Sequence, residues 1–421
     1  MSKRSVPSAS APAPAEILSS IRYLVRWIPI AAAVGLLGGV ASAVLLLSLE
    51  WATKTREAHK GIIAFLPLAG LFVGCLYQYF GNSVAAGNNL ILDEIHAEAD
   101  TPKTIPFRMT PLILLGTFLS HLFGGSAGRE GTAIQTGASL ADQLSRPLRL
   151  SPRSRRVLLM AGISAGFGSV FGTPLAGAVF GIEVLTLGSI SYEALAPCLL
   201  AAFVGDLTTR ACGVKHTLYH VTEIPHLSAV GLICAALAGA VFGLVALTFA
   251  RLMQLISATF KTAIGWAPLR PFVGGIIVAG GVFAIGTTKY IGLGIPTTLA
   301  AFSSNLPPYD WALKLVFTVL TLGSGFKGGE VTPLFFIGAT LGNALSHILP
   351  LPPSLLAGMG FVAVFGGASN TPLASSLMAM ELFGSEAGTY AAIACVFSYL
   401  FSGHTGIYHS QRVLSAKHAG S

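Results

Sequence analysis

The sequence predicts an all-α integral membrane protein with many short, tilted and broken helices, and three observations lead there. Of 421 residues, 53% are hydrophobic and 10% carry a formal charge, against about 25% charged in a soluble domain. Four windows, Trp27–Leu49, Gly61–Leu92, Val157–Ile182 and Val331–Met380, contain no Asp, Glu, Lys or Arg. Each exceeds the roughly 20 residues that a helix needs to cross a bilayer, and the last has length for two crossings. These apolar runs are too long for the alternating strands of a barrel, so helices satisfy the backbone in lipid. The third observation is the 49 glycines and 23 prolines, which let helix backbones approach closely and interrupt their hydrogen-bond ladders. Broken helices at membrane depth usually line a site, because their free N–H groups must point at something polar.

Taken in chain order, residues 1–20 open with a Ser-, Ala- and Pro-rich stretch and read as a disordered cytoplasmic tail. A cleaved signal peptide fits poorly, because the first apolar run starts near Trp27 and is long enough to span; an organelle transit peptide is the competing reading of a basic, acid-poor start. Residues 21–421 read as a single transmembrane domain. The net charge of +8 sits in short loops, with Arg146, Arg149, Arg153, Arg155 and Arg156 crowding one of them. The positive-inside rule places that loop in the cytoplasm, along with Lys3, Arg4, Arg22 and Arg26; Arg412 and Lys417 place the C-terminus there too. This distribution speaks against a nucleic-acid partner. The five cysteines are scattered without metal or disulfide spacing and read as small apolar packers. No phosphate loop, HExxH or Cys/His cluster appears, so the expectation is no metal, no nucleotide and no cofactor.

Sliding the chain against itself exposes an internal repeat. Thr173-Pro174-Leu175-Ala176 with Glu183 matches Thr371-Pro372-Leu373-Ala374 with Glu381; Gly128-Arg129-Glu130-Gly131-Thr132 matches Gly328-Gly329-Glu330-Val331-Thr332; and Gly137-Ala138-Ser139-Leu140 matches Gly338-Ala339-Thr340-Leu341. Three matches in the same order at offsets of 198, 200 and 201 residues argue for duplication. The halves run from about 21 to 210 and from about 225 to 410. Transporters built from repeats put their site near the midplane where the repeats meet, at helix N-termini that favour anions.

Glu130 and Glu330 are ionisable groups inside apolar, glycine-rich stretches, which is costly and by default functional. The structural alternative is that each caps a helix start near the interface. The flanking glycines let backbone N–H groups form an anion-binding concavity. A carboxylate tethered there occupies the site as a surrogate anion and leaves it when protonated, which gates an anion path and carries a proton. Arg129 and Lys327 either concentrate anions or snorkel to the interface. Glu183 and Glu381 read as structural, bonding the N–H groups of a neighbouring loop. Gly124-Gly125-Ser126-Ala127-Gly128 matches the GxSxG nucleophile pattern, but it follows an apolar helix rather than a strand; an intramembrane hydrolase using Ser126 is a remote alternative.

With these motifs in place, the chain resembles the CLC superfamily of chloride channels and anion/proton antiporters from about Ile21 to Lys417. Gly128-Arg129-Glu130-Gly131-Thr132 resembles the GREGP gating motif, Gly329-Glu330-Val331-Thr332-Pro333 the GxFxP motif, and Tyr408 falls where the family's anion-coordinating tyrosine lies; Gly87-Asn88-Asn89-Leu90-Ile91 takes the place of GSGIP. The resemblance implies two inverted repeats, an anion path within each subunit and a homodimer. Thr132 in place of proline, the missing serine before Ile91 and the polar GEVTP run resemble the CLC-F branch, which exports fluoride in exchange for protons. The resemblance thus implies a secondary active fluoride/proton antiporter, not an enzyme, in a prokaryotic inner membrane. Glu130 would be gate and proton carrier and Glu330 a second proton handler, since Ile182-Glu183-Val184 lacks the second glutamate that chloride/proton antiporters carry there. Anion contacts would come from Thr332, Val331, Tyr408, Gly131, Asn88 and Asn89, because a small, strongly hydrated anion demands short, strong donors. A CLC chloride channel or chloride/proton exchanger is the alternative.

Overall fold

The computed structural model describes residues 13–97 and 104–417, and sixteen α-helices order the described residues. The first eight are α1 (Ala13–Ala58), α2 (Leu66–Phe80), α3 (Asn88–His96), α4 (Met109–Leu122), α5 (Glu130–Gln143), α6 (Pro152–Phe171), α7 (Pro174–Glu183) and α8 (Leu195–Ala211). The second eight are α9 (Ala229–Ala263), α10 (Leu269–Ile285), α11 (Ile295–Ala300), α12 (Asp310–Gly323), α13 (Val331–Leu345), α14 (Pro353–Ser369), α15 (Pro372–Phe383) and α16 (Ser385–Phe401). Long opens each half, short follows, and the order of lengths repeats. The tail expected over residues 1–20 is corrected in part: residues 13–20 are the opening turns of α1, where Glu16 lies in the first turn and favours the helix dipole. Residues 1–12 lie outside the described residues.

The uncharged windows do not each form one rod. Val331–Met380, expected to hold two crossings, contains α13, α14 and most of α15. Val157–Ile182 is divided between α6 and α7. The breaks have local causes. Gly172 ends α6 in the left-handed region and Pro174 starts α7; Asn370 does the same for α14, with Pro372 starting α15. Glycine and asparagine are the residues that tolerate such a backbone, and proline suits a first helical turn.

α14, and α6 from Val157 onward, are apolar on all sides and form the centre of the molecule; every residue of α14 from Ser354 to Ser369 and of α6 from Val157 to Phe171 is buried, as expected of a helix without a polar face. α5 lies on α6 and α13 on α14 at backbone contact. A Cβ on Gly137 would run into the Gly162 carbonyl, and one on Gly338 into the Gly360 carbonyl. The crossing is repeated in the two halves, and small residues permit it.

The inversion of the repeats is visible in two sets of hydrogen bonds. Glu381, at the end of α15, accepts from Leu175 N (2.9 Å) and Ala176 N (2.8 Å) at the start of α7. Glu183, at the end of α7, accepts from Leu373 N (3.0 Å) and Ala374 N (2.8 Å) at the start of α15. The two helices are therefore antiparallel and cap each other. The second set joins Gly128 and Gly329, which exchange N–H···O bonds of 2.6 and 2.8 Å, so the glutamate turns of the two halves meet at one point.

Two-residue strands β1 (Thr186–Leu187) and β2 (Arg412–Val413) pair in parallel. They bring the segment after α16 back onto the first repeat. Arg155, expected in a cationic loop on the cytoplasmic side, is buried at the start of α6: its fork holds Asp142 through two bonds of 2.7 Å, with Glu94 at 3.2 Å. This ties α3, α5 and α6 together, because a buried charge requires a partner.

Candidate functional site

α5 has 14 residues and α13 has 15, so each is roughly 21–23 Å long at 1.5 Å per residue, short of the roughly 30 Å hydrocarbon thickness. Both helices start inside the molecule, at the junction of Gly128 with Gly329. Glu130 is the first residue of α5 and is fully buried. Its carboxylate does not sit on the N–H groups of its own turn. Oε2 accepts from Thr332 N (2.9 Å) and Thr332 Oγ1 (2.5 Å) at the start of α13, with Arg129 N at 3.3 Å. Oε1 lies 3.5 Å from Arg129 Nε but lacks a hydrogen bond among the described residues. The carboxylate thus takes the place of an anion at the start of a helix.

This carboxylate lies between two cavities. One, of about 870 Å³, is bounded by the end of α1, the segment 213–217 and the segment 287–297, with Arg129 in its wall. The other, of about 280 Å³, is bounded by the ends of α2 and α9, with Glu330, Lys327 and Tyr408 in its wall. α1 and α8 run side by side in the same direction, Gly35 meeting Ala201 and Gly39 meeting Gly205, while α2 returns toward the start of α1. The cavities therefore open on opposite faces, and Arg129 and Glu330 look into different ones.

Glu330 caps the start of α13 without a side-chain bond, and its Oε2 is buried with no hydrogen-bond partner among the described residues. Lys327 stands over the Tyr77 ring at 4.0 Å in the same cavity. Gly131 is the point of closest approach. A Cβ there would lie 3.0 Å from Gly329 Cα, 3.2 Å from Asn88 Nδ2 and 3.5 Å from Glu330 Oε2. Val331, the first residue of α13, is wholly buried beside it.

Asn88 and Asn89 part company. Asn88 opens α3 with its Oδ1 buried and unbonded among the described residues. Asn89 Oδ1 is engaged, accepting from Ser410 N at 3.1 Å. The segment carrying Tyr408 is further held by Ile407 N on Ala368 O (2.8 Å) and by Gln411 Nε2 on Val184 O (3.0 Å) and Ser369 O (3.1 Å). Thus Tyr408 is rigidly placed while its hydroxyl, fully buried, has no hydrogen-bond partner among the described residues. A cavity of about 10 Å³ lies between Asn88, Phe180 and Tyr408, close to the least space that accepts a water. Buried polar atoms in native proteins are normally bonded, and Glu130 Oε1, Glu330 Oε2, Asn88 Oδ1 and the Tyr408 hydroxyl are four buried atoms, gathered around this junction, that have no hydrogen-bond partner among the described residues.

Phe180 and Thr117 were not singled out in the sequence. Phe180 meets Tyr408 edge-on at 6.3 Å between centroids, and Thr117 Oγ1 bonds Thr132 Oγ1 at 2.7 Å. Neither carries a sequence signal, one being a phenylalanine among 25 and the other lying in an apolar helix. Ser126 is corrected as a nucleophile: it is fully buried, its Oγ is paired with Thr318 Oγ1 (2.9 Å) and its N–H bonds Thr321 Oγ1 (3.1 Å). Nucleophilic activation requires a base on that hydroxyl, and a threonine occupies the position.

Comparison with known proteins agrees with this geometry. The chain is 55% identical over 409 residues to a protein of Pseudomonas syringae pv. tomato named chloride/fluoride channel protein, covering 96% of this chain and 90% of that one. A solved CLC-type fluoride/proton antiporter superposes with a TM-score of 0.88 at 35% identity, covering 93% of this chain and 98% of the other. A slow cyanobacterial Cl⁻/H⁺ antiporter shares the fold, with a TM-score of 0.77 at 21% identity over 92% of this chain and 96% of that one. Residues 69–403 match the family described as voltage gated chloride channel, and with two inverted repeats meeting at Gly128 and Gly329 the chain belongs to that family, the CLC membrane proteins.

Proposed function

We propose that this protein is a fluoride/proton antiporter that exports fluoride from a prokaryotic cell, using the proton gradient across the plasma membrane, and that it works as a homodimer. The observation that carries the reading is the Glu130 carboxylate on the Thr332 N–H and hydroxyl, with the neighbouring Arg129 in the wall of one cavity and Glu330 in the wall of the other. Protonation removes the charge that holds the side chain there, frees the donors for an anion, and loads a proton on the same group. One carboxylate then serves both fluxes in alternation.

Glu330 is the second proton handler, facing the other cavity with an unbonded oxygen. Asn88 Nδ2, the Tyr408 hydroxyl and the Thr332 donors are short, strong partners for a small hard anion, and the positive ring edge of Phe180 adds to them. Asn89 supports the site by holding the Tyr408 segment. The names of the relatives support fluoride as the substrate.

The test is efflux from liposomes holding the purified protein, under fluoride or chloride gradients, with a pH electrode following protons. Fluoride efflux with counter-moving protons is the expected result. Fluoride flux without protons would make the protein a channel, and preference for chloride would replace the substrate.

A further inference from the structure

A third cavity, of about 360 Å³, lies away from the transport path, between α1 and the start of α6. Its wall is formed by Tyr23, Arg26 and Trp27 on α1, Arg153 and Ser154 on α6, and Glu193. The cleft is firmly built. Tyr23 donates to Glu193 O at 2.5 Å, Trp27 is 4% exposed, and Arg153 grips the Glu193 carboxylate through Nε (3.1 Å) and Nη2 (2.5 Å). That grip leaves Arg153 Nη1 without a hydrogen bond among the described residues. Arg26 is exposed and makes no hydrogen bond or ion pair among the described residues.

The depth of this cleft is set by the sequence. α1 has 46 residues, about 69 Å at 1.5 Å per residue, more than twice the hydrocarbon thickness. Its uncharged stretch begins at Trp27, so Tyr23, Arg26 and Trp27 stand at the boundary, where aromatic and cationic side chains anchor a helix. On the hydrocarbon side of that boundary, Ile28, Leu36, Val40 and Val44 follow along α1, and all are exposed. A ligand in the cleft therefore meets cationic groups at headgroup level and apolar surface along the same helix.

We propose that this cleft binds an anionic phospholipid, with its phosphodiester between Arg26 and Arg153 Nη1 and an acyl chain along the exposed apolar positions of α1. The charge balance fits a monoanion, since two arginines face one glutamate. Glu193 limits the affinity by holding Arg153.

Native mass spectrometry of the protein from micelles doped with phosphatidylglycerol or phosphatidylcholine tests the site. We expect one phosphatidylglycerol retained per subunit in preference to phosphatidylcholine. Arg26→Gln should weaken that retention by about fivefold, the effect of one arginine near a lipid surface. Glu193→Gln, which frees Arg153, should strengthen it, and Arg26→Lys should keep it. Fluoride flux in vesicles of neutral lipid should be unchanged in Arg26→Gln. Equal retention of the two lipids, full retention in Arg26→Gln, weaker retention in Glu193→Gln, or displacement by millimolar inorganic phosphate would each overturn the proposal; the last would make the cleft a soluble-anion site.

Discussion

Two pairs of glutamates occupy equivalent places in the two repeats and end in opposite situations. Glu183 and Glu381 are symmetric: each carboxylate caps the helix of the other half with both oxygens. Glu130 and Glu330 are not. Glu130 bonds across to Thr332, whereas Glu330, whose Oε2 lies beside Gly131 at the start of α5, makes no side-chain hydrogen bond there among the described residues. A mutually satisfied pair stabilises one arrangement. A pair with one bonded and one idle carboxylate keeps an unbonded acceptor oxygen that can take up a proton. In the proposed function, symmetry in these repeats serves structure, and its breaking serves transport.

The largest effect should come from Glu130→Gln, which keeps the shape and removes the titrating charge. Proton-coupled fluoride flux should fall by about 100-fold or more, the scale of a lost proton-transfer group, while the protein is recovered and melts as the parent does. Coupled exchange surviving in this variant would remove Glu130 from the mechanism. Glu330→Gln should likewise depress proton movement, and equal flux with normal coupling would return Glu330 to a plain helix cap.

The symmetric pair should respond in the reverse sense. Glu183→Ala and Glu381→Ala each strand two N–H groups at a helix start, and should cost about 1–2 kcal/mol apiece, read as a lower melting temperature in detergent. Coupling in the surviving folded protein should remain. A variant of this pair that uncouples protons without loss of stability would erase the distinction between the two pairs.

Gly131→Ala sharpens the comparison at the crossing itself. Its Cβ would press on Gly329 Cα and Asn88 Nδ2, and overpacking of this kind costs about 1–3 kcal/mol. Flux should fall together with melting temperature. The smallest change in stability belongs to Tyr408→Phe, because the hydroxyl has no hydrogen-bond partner among the described residues and its loss strands nothing. A change under about 0.5 kcal/mol is expected, with a clear drop in fluoride flux; unaltered flux would remove Tyr408 from the anion path.

Much of this architecture is legible in the residues. The apolar windows locate the membrane-embedded chain, the matched turns identify the two halves, and Thr-Pro after Gly172 or Asn370 marks a break between helices. The misjudged places share a cause. Val331–Met380 holds α13, α14 and most of α15 because helices buried on all sides need not span the bilayer, and composition does not distinguish a spanning helix from a short buried one. The run of arginines places Arg155 in a cytoplasmic loop with Asp142 as the nearest acid in the chain, but its burial between Asp142 and Glu94 arises only when α3, α5 and α6 pack.

The sequence by itself determined the lipid environment, the duplication and the two glycine-flanked glutamates, because these follow from composition and from order along the chain. Only the tertiary structure decided which donors each glutamate meets. The bond from Glu130 to Thr332 joins residues 202 positions apart, Asn89 is engaged by Ser410 while its neighbour Asn88 keeps a free oxygen, and Ser126 is answered by Thr318 rather than by a base. The physical reason is that a hydrogen bond depends on position to within a few tenths of an ångström, and that precision arises only when the two repeats pack against each other.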